Sequence, residues 1–527
     1  MSEEFDVVVI GSGFGGSVLA CRMAQKGYGV LVLERGRRWQ KEDYPSVENE
    51  DWIWDQDEPE KQNGWIDLRL FRKMAVAQGA GVGGGSLIYA NIFVEAEDNA
   101  FDGGWPADIR RDELDGFYRT TGNMVGVSPL PDTQLTKRFE LMRDAAQKAG
   151  HGKRFRKLPI AVNFDKNWNY KKDDRFNVKH SKITTNRYGK KQGTCIHCGN
   201  CDIGCPVLAK NTLDLNYLAV AEKHGAQIRP LHMVTRLEQT GASYQVHFDR
   251  LEDGRRTPGA VKARMVFLAA GSLGSTELLL RCRDEYKTLP DISARLGHGW
   301  SSNGDFLTPD IYKQREISPT QGPTITCAID FLDGKMGGHE FFVEDGGFPD
   351  IFGNMLEELQ RSALFKTFFG IYGYRLGRKL RGRDPLQHVM PWFGQGVDAA
   401  DGRLRLKPKL FSRKKALSLD WNVKRSRGVI EALIGMHKTL SQATGGDVFV
   451  PPTWKWFKYL ITPHPLGGCN MAGGPDKGVV DSFGRVFGHK NLYVVDGAIV
   501  PRALGLNPSR TIAALAERIA DSIPRAA

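Results

Sequence analysis

The chain has 527 residues, a length that fits either about three average domains or one large α/β enzyme. Apolar residues make up 41% and charged residues 25%, which is ordinary globular composition and excludes long disordered stretches. The net charge of +12 allows an anionic partner but does not choose among nucleic acid, an anionic membrane surface and an acidic substrate. Eight cysteines in a chain of this length exclude a disulfide scaffold.

The first residues argue against export. Residues 1–6 are acidic and run directly into an apolar stretch, whereas a secretory signal begins with a basic region and ends at a small-residue cleavage site. The apolar runs fall short of the roughly 20 residues that span a bilayer. We therefore expect a cytoplasmic protein with reduced thiols, peripheral to a membrane if it meets one.

A strand–turn–helix–strand unit follows and predicts dinucleotide binding. Residues 5–10 form a β-branched run typical of a buried parallel strand, and residues 11–16, GSGFGG, match G-x-G-x-x-G. Helical spacing continues towards Gly27, and residues 30–33 predict a second strand ending at Glu34, where an acid binds ribose hydroxyls. The predicted cofactor contacts in this unit are Gly11, Gly13, Phe14, Gly15, Gly16, Glu34 and Arg35.

A second glycine-rich segment spans residues 79–91, GAGVGGGSLIYAN. Such a backbone can press closely against a flat or anionic group, and the alternative is a flexible loop. The segment favours FAD over NAD, which the first motif alone does not distinguish. The predicted cofactor contacts here are Gly79, Gly83, Gly84, Ser86 and Asn91.

Five blocks together resemble the glucose–methanol–choline (GMC) family of flavin oxidoreductases, and within it the cholesterol-oxidase-like branch. The blocks are residues 11–16, 79–91, 266–276, 297–305 and 464–517. The last block is the most specific, with HPLGGC at 464–469 and GLNP at 505–508. The similarity is weakest between about 310 and 460, where substrate recognition is expected.

The resemblance implies an α/β fold whose substrate part is α+β. It pairs a Rossmann-like FAD-binding domain, discontinuous in sequence, with a substrate domain built on an antiparallel sheet. The expected FAD-binding segments are 1–100 (with an insertion at 46–74), 195–305 and 465–527, and the expected substrate segments are 101–194 and 306–464. Strands are predicted over residues 228–234, 266–270 and 492–495.

The resemblance also implies the site. FAD would lie across both glycine-rich segments, and it is expected to be non-covalent because residues 79–91 contain no His or Cys. By resemblance, His464 and Asn507 lie at the substrate carbinol, where His464 shares or takes the hydroxyl proton. Further cofactor contacts are expected from Val234, Ala270, Gly271, Asp496, Gly497, Asn507 and Pro508.

Cholesterol oxidases also use an acid to shift a steroid double bond. Glu344 and Glu340 are both candidates for that acid, and the alternative for each is a solvated surface carboxylate. Nothing in the local sequence distinguishes the two.

Four cysteines follow the spacing C-x2-C-x2-C-x3-C-P, which is typical of bacterial ferredoxins. This pattern predicts a metal site formed by Cys195, Cys198, Cys201 and Cys205. In two-cluster ferredoxins the fourth cysteine binds the other cluster, so a single run needs Cys205 to fold back, a remote thiolate (Cys21, Cys282, Cys327 or Cys469) or a three-iron form. An iron–sulfur cluster, a zinc site, and structural or redox-active thiols all stay open as interpretations.

Basic charge is concentrated in three stretches. Residues 153–191, 361–383 and 403–415 carry +10, +7 and +7, so the rest of the chain carries −12. Residues 361–383 combine seven basic residues and no acids with an apolar, aromatic stripe, which suits peripheral membrane contact; the alternative is a core helix with a solvated basic end. This distribution argues against a nucleic-acid partner.

The sequence therefore predicts an FAD-dependent oxidoreductase that oxidises the hydroxyl of a bulky hydrophobic alcohol, such as a sterol or another polycyclic lipid. One alternative is an FAD and iron–sulfur dehydrogenase for a smaller alcohol or a sugar, with a protein or quinone as electron acceptor. Another alternative is a non-catalytic flavin and iron–sulfur carrier or redox sensor. The presence of both His464 and Asn507 argues against a carrier, because a carrier needs no proton acceptor.

Overall fold

A computed structural model describes residues 3–44, 52–172, 176–349, 387–408 and 415–526. The segment expected to contact a membrane, residues 361–383, lies outside the described residues. Over the described ranges, no helix is both long and apolar enough to cross a membrane. The helices are α1 (Phe14–Gln25), α2 (Arg111–Val125), α3 (Lys137–Lys148), α4 (Tyr217–Lys223), α5 (Gly271–Leu280), α6 (Val423–Ala443), α7 (Pro452–Phe457) and α8 (Ser509–Asp521).

The largest sheet has seven strands, namely β1 (Glu4–Ile10), β2 (Val30–Leu33), β8 (Gln227–Arg229), β9 (His232–Thr240), β10 (Ser243–Glu252), β11 (Arg255–Leu268) and β20 (Leu492–Val494). Five of them run parallel in the order β8, β2, β1, β11, β20. Taken in chain order this is 3-2-1-4-5, the order of dinucleotide-binding doubly wound sheets. Strands β9 and β10 extend β11 as an antiparallel meander. The predicted Rossmann-like fold is confirmed.

The single strand predicted over residues 228–234 is wrong. The chain forms two strands there, β8 parallel to β2 and β9 antiparallel to β10, separated by Pro230 and Leu231. Proline lacks the N–H that a central strand needs, and Leu231 has a left-handed φ of +60°. The turn redirects the chain, and Val234 lies near the start of β9.

A second sheet is antiparallel throughout and is called here the substrate-side sheet. Its strands are β5 (Phe155–Lys157), β13 (Phe306–Ile311), β14 (Cys327–Met336), β15 (His339–Asp345) and β16 (Val389–Gly396), in the order β13-β16-β15-β14-β5. The predicted antiparallel second sheet is confirmed. One continuous buried apolar cluster includes side chains from both large sheets, such as Val8 and Phe342.

Three smaller sheets connect these layers. They are formed by β3 (Ile66–Leu70), β4 (Met74–Gly79) and β19 (Leu460–Thr462); by β12 (His298–Trp300), β17 (Gly402–Pro408) and β18 (Lys415–Asp420); and by β6 (Thr184–Thr185) and β7 (Lys191–Gln192). Strand β19 pairs parallel with β4. Both strands end next to predicted site residues, because β4 leads into the segment 79–91 and β19 leads to His464.

Candidate active site

The first glycine-rich motif turns at the carboxyl end of β1. A Cβ on Gly15 would lie 1.8 Å from the carbonyl oxygen of Val495, and a Cβ on Gly16 would lie 2.1 Å from that of Gly11. A Cβ on Gly13 would meet nothing within 4 Å. The motif therefore packs tightly against its neighbouring strands and leaves open space beside Gly13, where the backbone can approach a dinucleotide.

A cavity of about 980 Å³ runs from this motif to the substrate-side sheet. It is lined by the predicted cofactor-binding residues Gly11, Gly13, Phe14, Gly15, Glu34, Arg35, Gly79, Gly84, Val234, Ala270, Gly271, Asp496, Gly497, Asn507 and Pro508, and by His464. The other predicted contacts, Gly16, Gly83, Ser86 and Asn91, are not part of its lining. The Ser86 hydroxyl instead donates to the Gly83 carbonyl (2.7 Å) and accepts from the Leu213 N–H (3.1 Å), which fixes the loop.

Glu34 is nearly buried at the end of β2, with 5% of its surface exposed. Its carboxylate accepts hydrogen bonds from the Ser12 backbone N–H (3.0 Å), the Ser12 hydroxyl (2.7 Å) and the Gly36 N–H (3.0 Å). These bonds hold the acid against the cavity. Beside it, the Arg35 guanidinium stacks 4.2 Å from the ring of Trp54, a cavity residue that the sequence patterns did not indicate. The carboxylate and the glycine cradle fit a bound dinucleotide.

Asp496 follows the end of β20, and its side chain forms hydrogen bonds with the first turn of α5. Its carboxylate accepts from the Gly271 N–H (2.9 Å), the Ser275 hydroxyl (2.5 Å) and the Ala498 N–H (2.8 Å). Burial raises the pKa of Asp496 to about 6, although these three hydrogen bonds oppose the rise. The start of α5 faces the same cavity as the first motif, because Gly271 and Ser272 are part of its lining.

His464 is held by a buried carboxylate. Its Nδ1 atom lies 2.9 and 3.0 Å from the two carboxylate oxygens of Asp305, which also accepts from the Thr462 hydroxyl at 2.5 Å. Burial raises the pKa of Asp305, and the contacts with His464 and Thr462 oppose that rise. A carboxylate only accepts hydrogen bonds, so Nδ1 donates and Nε2 is the acceptor of the neutral ring.

The loop that carries Asp305 also positions the second predicted catalytic residue. The side chain of Asn303 donates to the Leu506 carbonyl (2.8 Å) and accepts from the Leu504 and Gly505 N–H groups (both 2.9 Å), immediately before Asn507. This loop therefore positions both predicted catalytic residues, His464 through Asp305 and Asn507 through Asn303. Neither Asn303 nor Asp305 was assigned a role from sequence, although both belong to the block 297–305.

Glu344 lies beside Asn507, which lines the cavity, whereas Glu344 itself is not part of the lining. Asn507 is 5% exposed and Glu344 is fully buried. Glu344 accepts a hydrogen bond from the Gln395 amide at 3.0 Å, and in the described part of the chain its other oxygen and Asn507 Oδ1 are buried without partners. Burial raises the pKa of Glu344 well above its usual range; Asp345 and Asp305 add to the rise, whereas Gln395 and Asn507 oppose it.

The other candidate acid is placed differently. Glu340 accepts from the Asn99 amide at 3.3 Å and lies 3.6 Å from the guanidinium of Arg502, and its side chain is 31% exposed. Of the two acids considered from the sequence, Glu344 is the one that lies beside Asn507.

The four predicted metal-binding cysteines are free thiols. Over the ranges that the structure describes, no group of three or more His, Cys, Asp or Glu side chains is arranged to hold a metal ion. Cys195, Cys198 and Cys205 pack instead around Ile196, Val207 and Ala209. The geometry gives the iron–sulfur interpretation no support, and this packing fits structural thiols.

Comparison with known proteins decides the family. A GMC oxidoreductase family model matches residues 399–516, and a NAD(P)-binding Rossmann-like model matches residues 9–39. The chain is 31% identical to a cholesterol oxidase from Acinetobacter baumannii, covering 99% of this chain and 94% of that protein. The chain belongs to the GMC oxidoreductase family.

A further relative and a solved structure are also similar to this GMC oxidoreductase. A 2-methyl-1,2-propanediol dehydrogenase from Mycolicibacterium austroafricanum is 26% identical, with 99% of this chain and 96% of that protein covered. The fold is similar to that of pyridoxine 4-oxidase from Mesorbium loti, with a TM-score of 0.64 at 16% identity and 98% of each chain covered. The protein is therefore an FAD-dependent alcohol oxidoreductase, as predicted, and the interpretation as a non-catalytic carrier has no support.

Proposed function

We propose that this enzyme oxidises the hydroxyl of a bulky hydrophobic alcohol, a sterol or a similar polycyclic lipid. The observation that carries the proposal is the single cavity that holds both the dinucleotide cradle and His464 and then continues along the substrate-side sheet. Leu307, Ile325 and Phe393 contribute apolar surface to that part of its wall. The name cholesterol oxidase on a relative that is similar over nearly the full length supports the same substrate class.

The cavity is bordered at the protein surface by apolar side chains. Leu70 is 71% exposed and Leu307 is 43% exposed, and both line the cavity. Ile461, on the neighbouring strand β19, is 61% exposed. Exposed apolar side chains are ordinary when single, but grouped at a cavity they favour entry of an apolar ligand. Peripheral contact with a lipid surface is part of the proposal for this reason.

The proton chemistry follows from the site. Bound FAD supplies the hydride acceptor. His464, with Nδ1 donating to Asp305, accepts the carbinol proton at Nε2. Asn507 lines the same cavity and orients the carbinol oxygen by donating to it from the side-chain Nδ2, while the carbinol O–H donates to Nε2. Asp305 keeps the imidazole in the tautomer that the reaction needs.

Glu344 has a separate role in this proposal. Burial raises its pKa, which makes its ionised form a stronger base, so the carboxylate can take a proton from one carbon and return it to another. After oxidation, a carbon beside the new carbonyl loses a proton readily, and the buried carboxyl group beside Asn507 can move that proton. Glu344 therefore shifts a double bond next to the carbonyl when the substrate contains one.

A substrate panel tests the proposal. We would measure kcat/KM for sterols, long-chain primary alcohols, small diols and sugars, with oxygen and with an artificial dye as electron acceptor. The highest kcat/KM is expected for a sterol-like secondary alcohol, with the ketone identified by mass spectrometry. A sugar or small diol with the highest kcat/KM would contradict the proposed substrate class.

A further inference from the structure

A buried amide holds the acid that the proposed double-bond shift uses. The side chain of Gln395 has no exposed surface, and its Nε2 atom donates to Glu344 Oε2 at 3.0 Å. Neither residue is part of the cavity lining. The hydrogen bond therefore joins two groups of the protein interior, and the proposed oxidation has no need of it.

The position of Gln395 follows from the pairing of β15 with β16. Glu344 is paired with Phe393, and Gln395 lies two residues further along β16. Glu344 and Gln395 are therefore diagonal neighbours on the same face of the sheet. Diagonal neighbours lie about 7–8 Å apart, a separation that only long side chains bridge. Glutamine reaches the carboxyl group from this position, whereas asparagine is one methylene group shorter.

The opposite face of β16 fixes the backbone on both sides of Gln395. A Cβ on Gly394 would lie 2.5 Å from the Leu433 side chain, and a Cβ on Gly396 would lie 2.4 Å from the Val429 side chain. Both of these apolar side chains belong to α6, which packs directly against the strand. The strand has no room to move back towards the helix, so the amide of Gln395 is in place before any substrate binds.

Two other acids influence Glu344. Burial raises the pKa of Glu344 well above its usual range, and Asp345 and Asp305 add to the rise. Each of these acids has a partner of its own, since Arg138 lies 3.4 Å from Asp345 and His464 lies 2.9 Å from Asp305. A substitution at a neighbouring amide leaves both of these pairs intact.

Two amides oppose the rise in pKa. Gln395 and Asn507 act on Glu344 as hydrogen-bond donors, and both favour its ionised form. They differ in position, because Asn507 lines the cavity and Gln395 does not. Gln395 can therefore affect a substrate only through Glu344.

We propose that Gln395 is a positioning residue for the double-bond shift, which holds Glu344 by Oε2 and leaves Oε1 as the oxygen that carries the proton. The inference rests on the proposed function and adds the residue that prepares its acid. The carbon between the carbonyl and the double bond loses a proton to Oε1, and the electron pair of that C–H bond forms a dienolate. The same proton returns from Oε1 to the far carbon of the double bond, so no proton or electron is gained or lost.

The test supplies the FAD-loaded enzyme with an unconjugated steroid ketone, so that the double-bond shift is measured apart from the oxidation. The ultraviolet absorbance of the conjugated enone reports kcat, which should rise with pH as Glu344 ionises. Gln395→Met removes a hydrogen bond to the ionised form, so the midpoint of this pH profile should move up by about one to two pH units. Below both midpoints kcat falls about 10- to 100-fold, while kcat at high pH is retained.

A second variant and a control accompany this measurement. Gln395→Asn keeps the polarity but not the reach, and it should move the midpoint in the same direction. Gln134→Met is the control, because Gln134 is also fully buried, donates to the Asp165 carbonyl at 2.6 Å and does not line the cavity. This control should keep the wild-type midpoint. A midpoint that moves as far as in Gln395→Met would assign the shift to loosened packing and overturn the role of Gln395.

Other results would also overturn the positioning role. Gln395→Met could keep the wild-type midpoint, or its kcat could fall by the same factor at every pH, as a purely structural contribution predicts. A wild type that oxidises sterol-like alcohols but does not convert the unconjugated ketone would remove the roles of Glu344 and Gln395 together and leave the proposed oxidation intact. If the ketone is converted with the expected midpoints while sterol-like alcohols are not oxidised, the proposed oxidation fails and the role of Gln395 is supported.

Discussion

The Nδ1 atom of His464 lies 2.9 Å from a carboxylate oxygen of Asp305, although the two residues are 159 positions apart in the chain. Asp305 is fully buried, and Thr462 donates a further hydrogen bond to the same carboxylate. This arrangement orients the imidazole before any substrate binds. A carboxylate that fixes a histidine tautomer is a recurring device in proton transfer.

Replacement of His464 by alanine should lower the rate of flavin reduction at least about 100-fold, because general base catalysis contributes that much or more. FAD content should stay unchanged, since the dinucleotide cradle is formed by other residues. Anaerobic stopped-flow absorbance measures the rate and the flavin spectrum measures the content. An unchanged rate would refute the assigned role.

Asp305→Asn should lower kcat about 100-fold or more with little change in KM, because an amide does not enforce the same tautomer as a carboxylate. Asp310→Asn is a suitable control, since Asp310 is also a buried acid of the same region but accepts its hydrogen bond from the Phe449 N–H and not from His464. Equal kcat values for the two variants would show that Asp305 has no special role.

Gly13→Val should impair FAD binding, whereas Gly15→Val should lower the stability of the fold. A side chain at Gly13 projects into open space, whereas one at Gly15 collides with Val495. Gly13→Val should therefore fold with a melting temperature close to that of the wild-type apoprotein and bind FAD weakly. Gly15→Val should unfold at a lower temperature even without FAD. Thermal unfolding with and without added FAD separates the two, and the reverse pattern would contradict the assignment of the cradle.

Glu344→Gln should keep alcohol oxidation and lose the shift of a double bond. With a substrate whose double bond is one carbon removed from the new carbonyl, the unconjugated ketone should accumulate. The ultraviolet absorbance of the conjugated enone reports the shift. Glu340→Gln, on the same strand, is the matched control and should form the conjugated product normally. If Glu340→Gln loses the double-bond shift instead, the acid that moves the proton is Glu340 and not Glu344.

The free energy of unfolding should depend on pH through His437. Burial lowers the pKa of His437 to about 3, so between pH 3 and about 6.5 the unfolded chain binds a proton that the folded protein does not. Its contribution to stability is therefore full above pH 6.5 and is lost as the pH falls. Relative to His437→Gln, the wild type should lose about 2 kcal/mol between pH 7 and pH 5 in urea unfolding. If the free energy of unfolding depended on pH in the same way in the wild type and in His437→Gln, this prediction would be contradicted.

The dinucleotide unit was predictable because its signal is local. Strand, glycines, helix and acid follow within 34 residues, and each has one physical task. Asp305 could not be assigned in this way, since its function depends on contact with a residue far along the chain. The local cysteine pattern could not decide among its three interpretations for a related reason, because spacing describes the chain and not where the sulfur atoms point in three dimensions.

The choice between Glu340 and Glu344 shows another limit of the sequence. Residues four apart in a strand point to the same face, so side-chain alternation places Glu340 and Glu344 on the same face of the sheet and cannot distinguish them. Burial distinguishes them, and burial depends on neighbouring strands and loops. Pro230, in contrast, was a visible signal that the strand predicted over residues 228–234 overlooked.

Anaerobic titration of the FAD-loaded enzyme with a sterol-like secondary alcohol tests the central claim most directly. The account predicts that the oxidised flavin absorbance is lost in proportion to the alcohol added, with an equal amount of ketone formed, and that His464→Ala bleaches far more slowly. Flavin that stays oxidised with every sterol-like alcohol, while a sugar or a small diol bleaches it, would contradict the account.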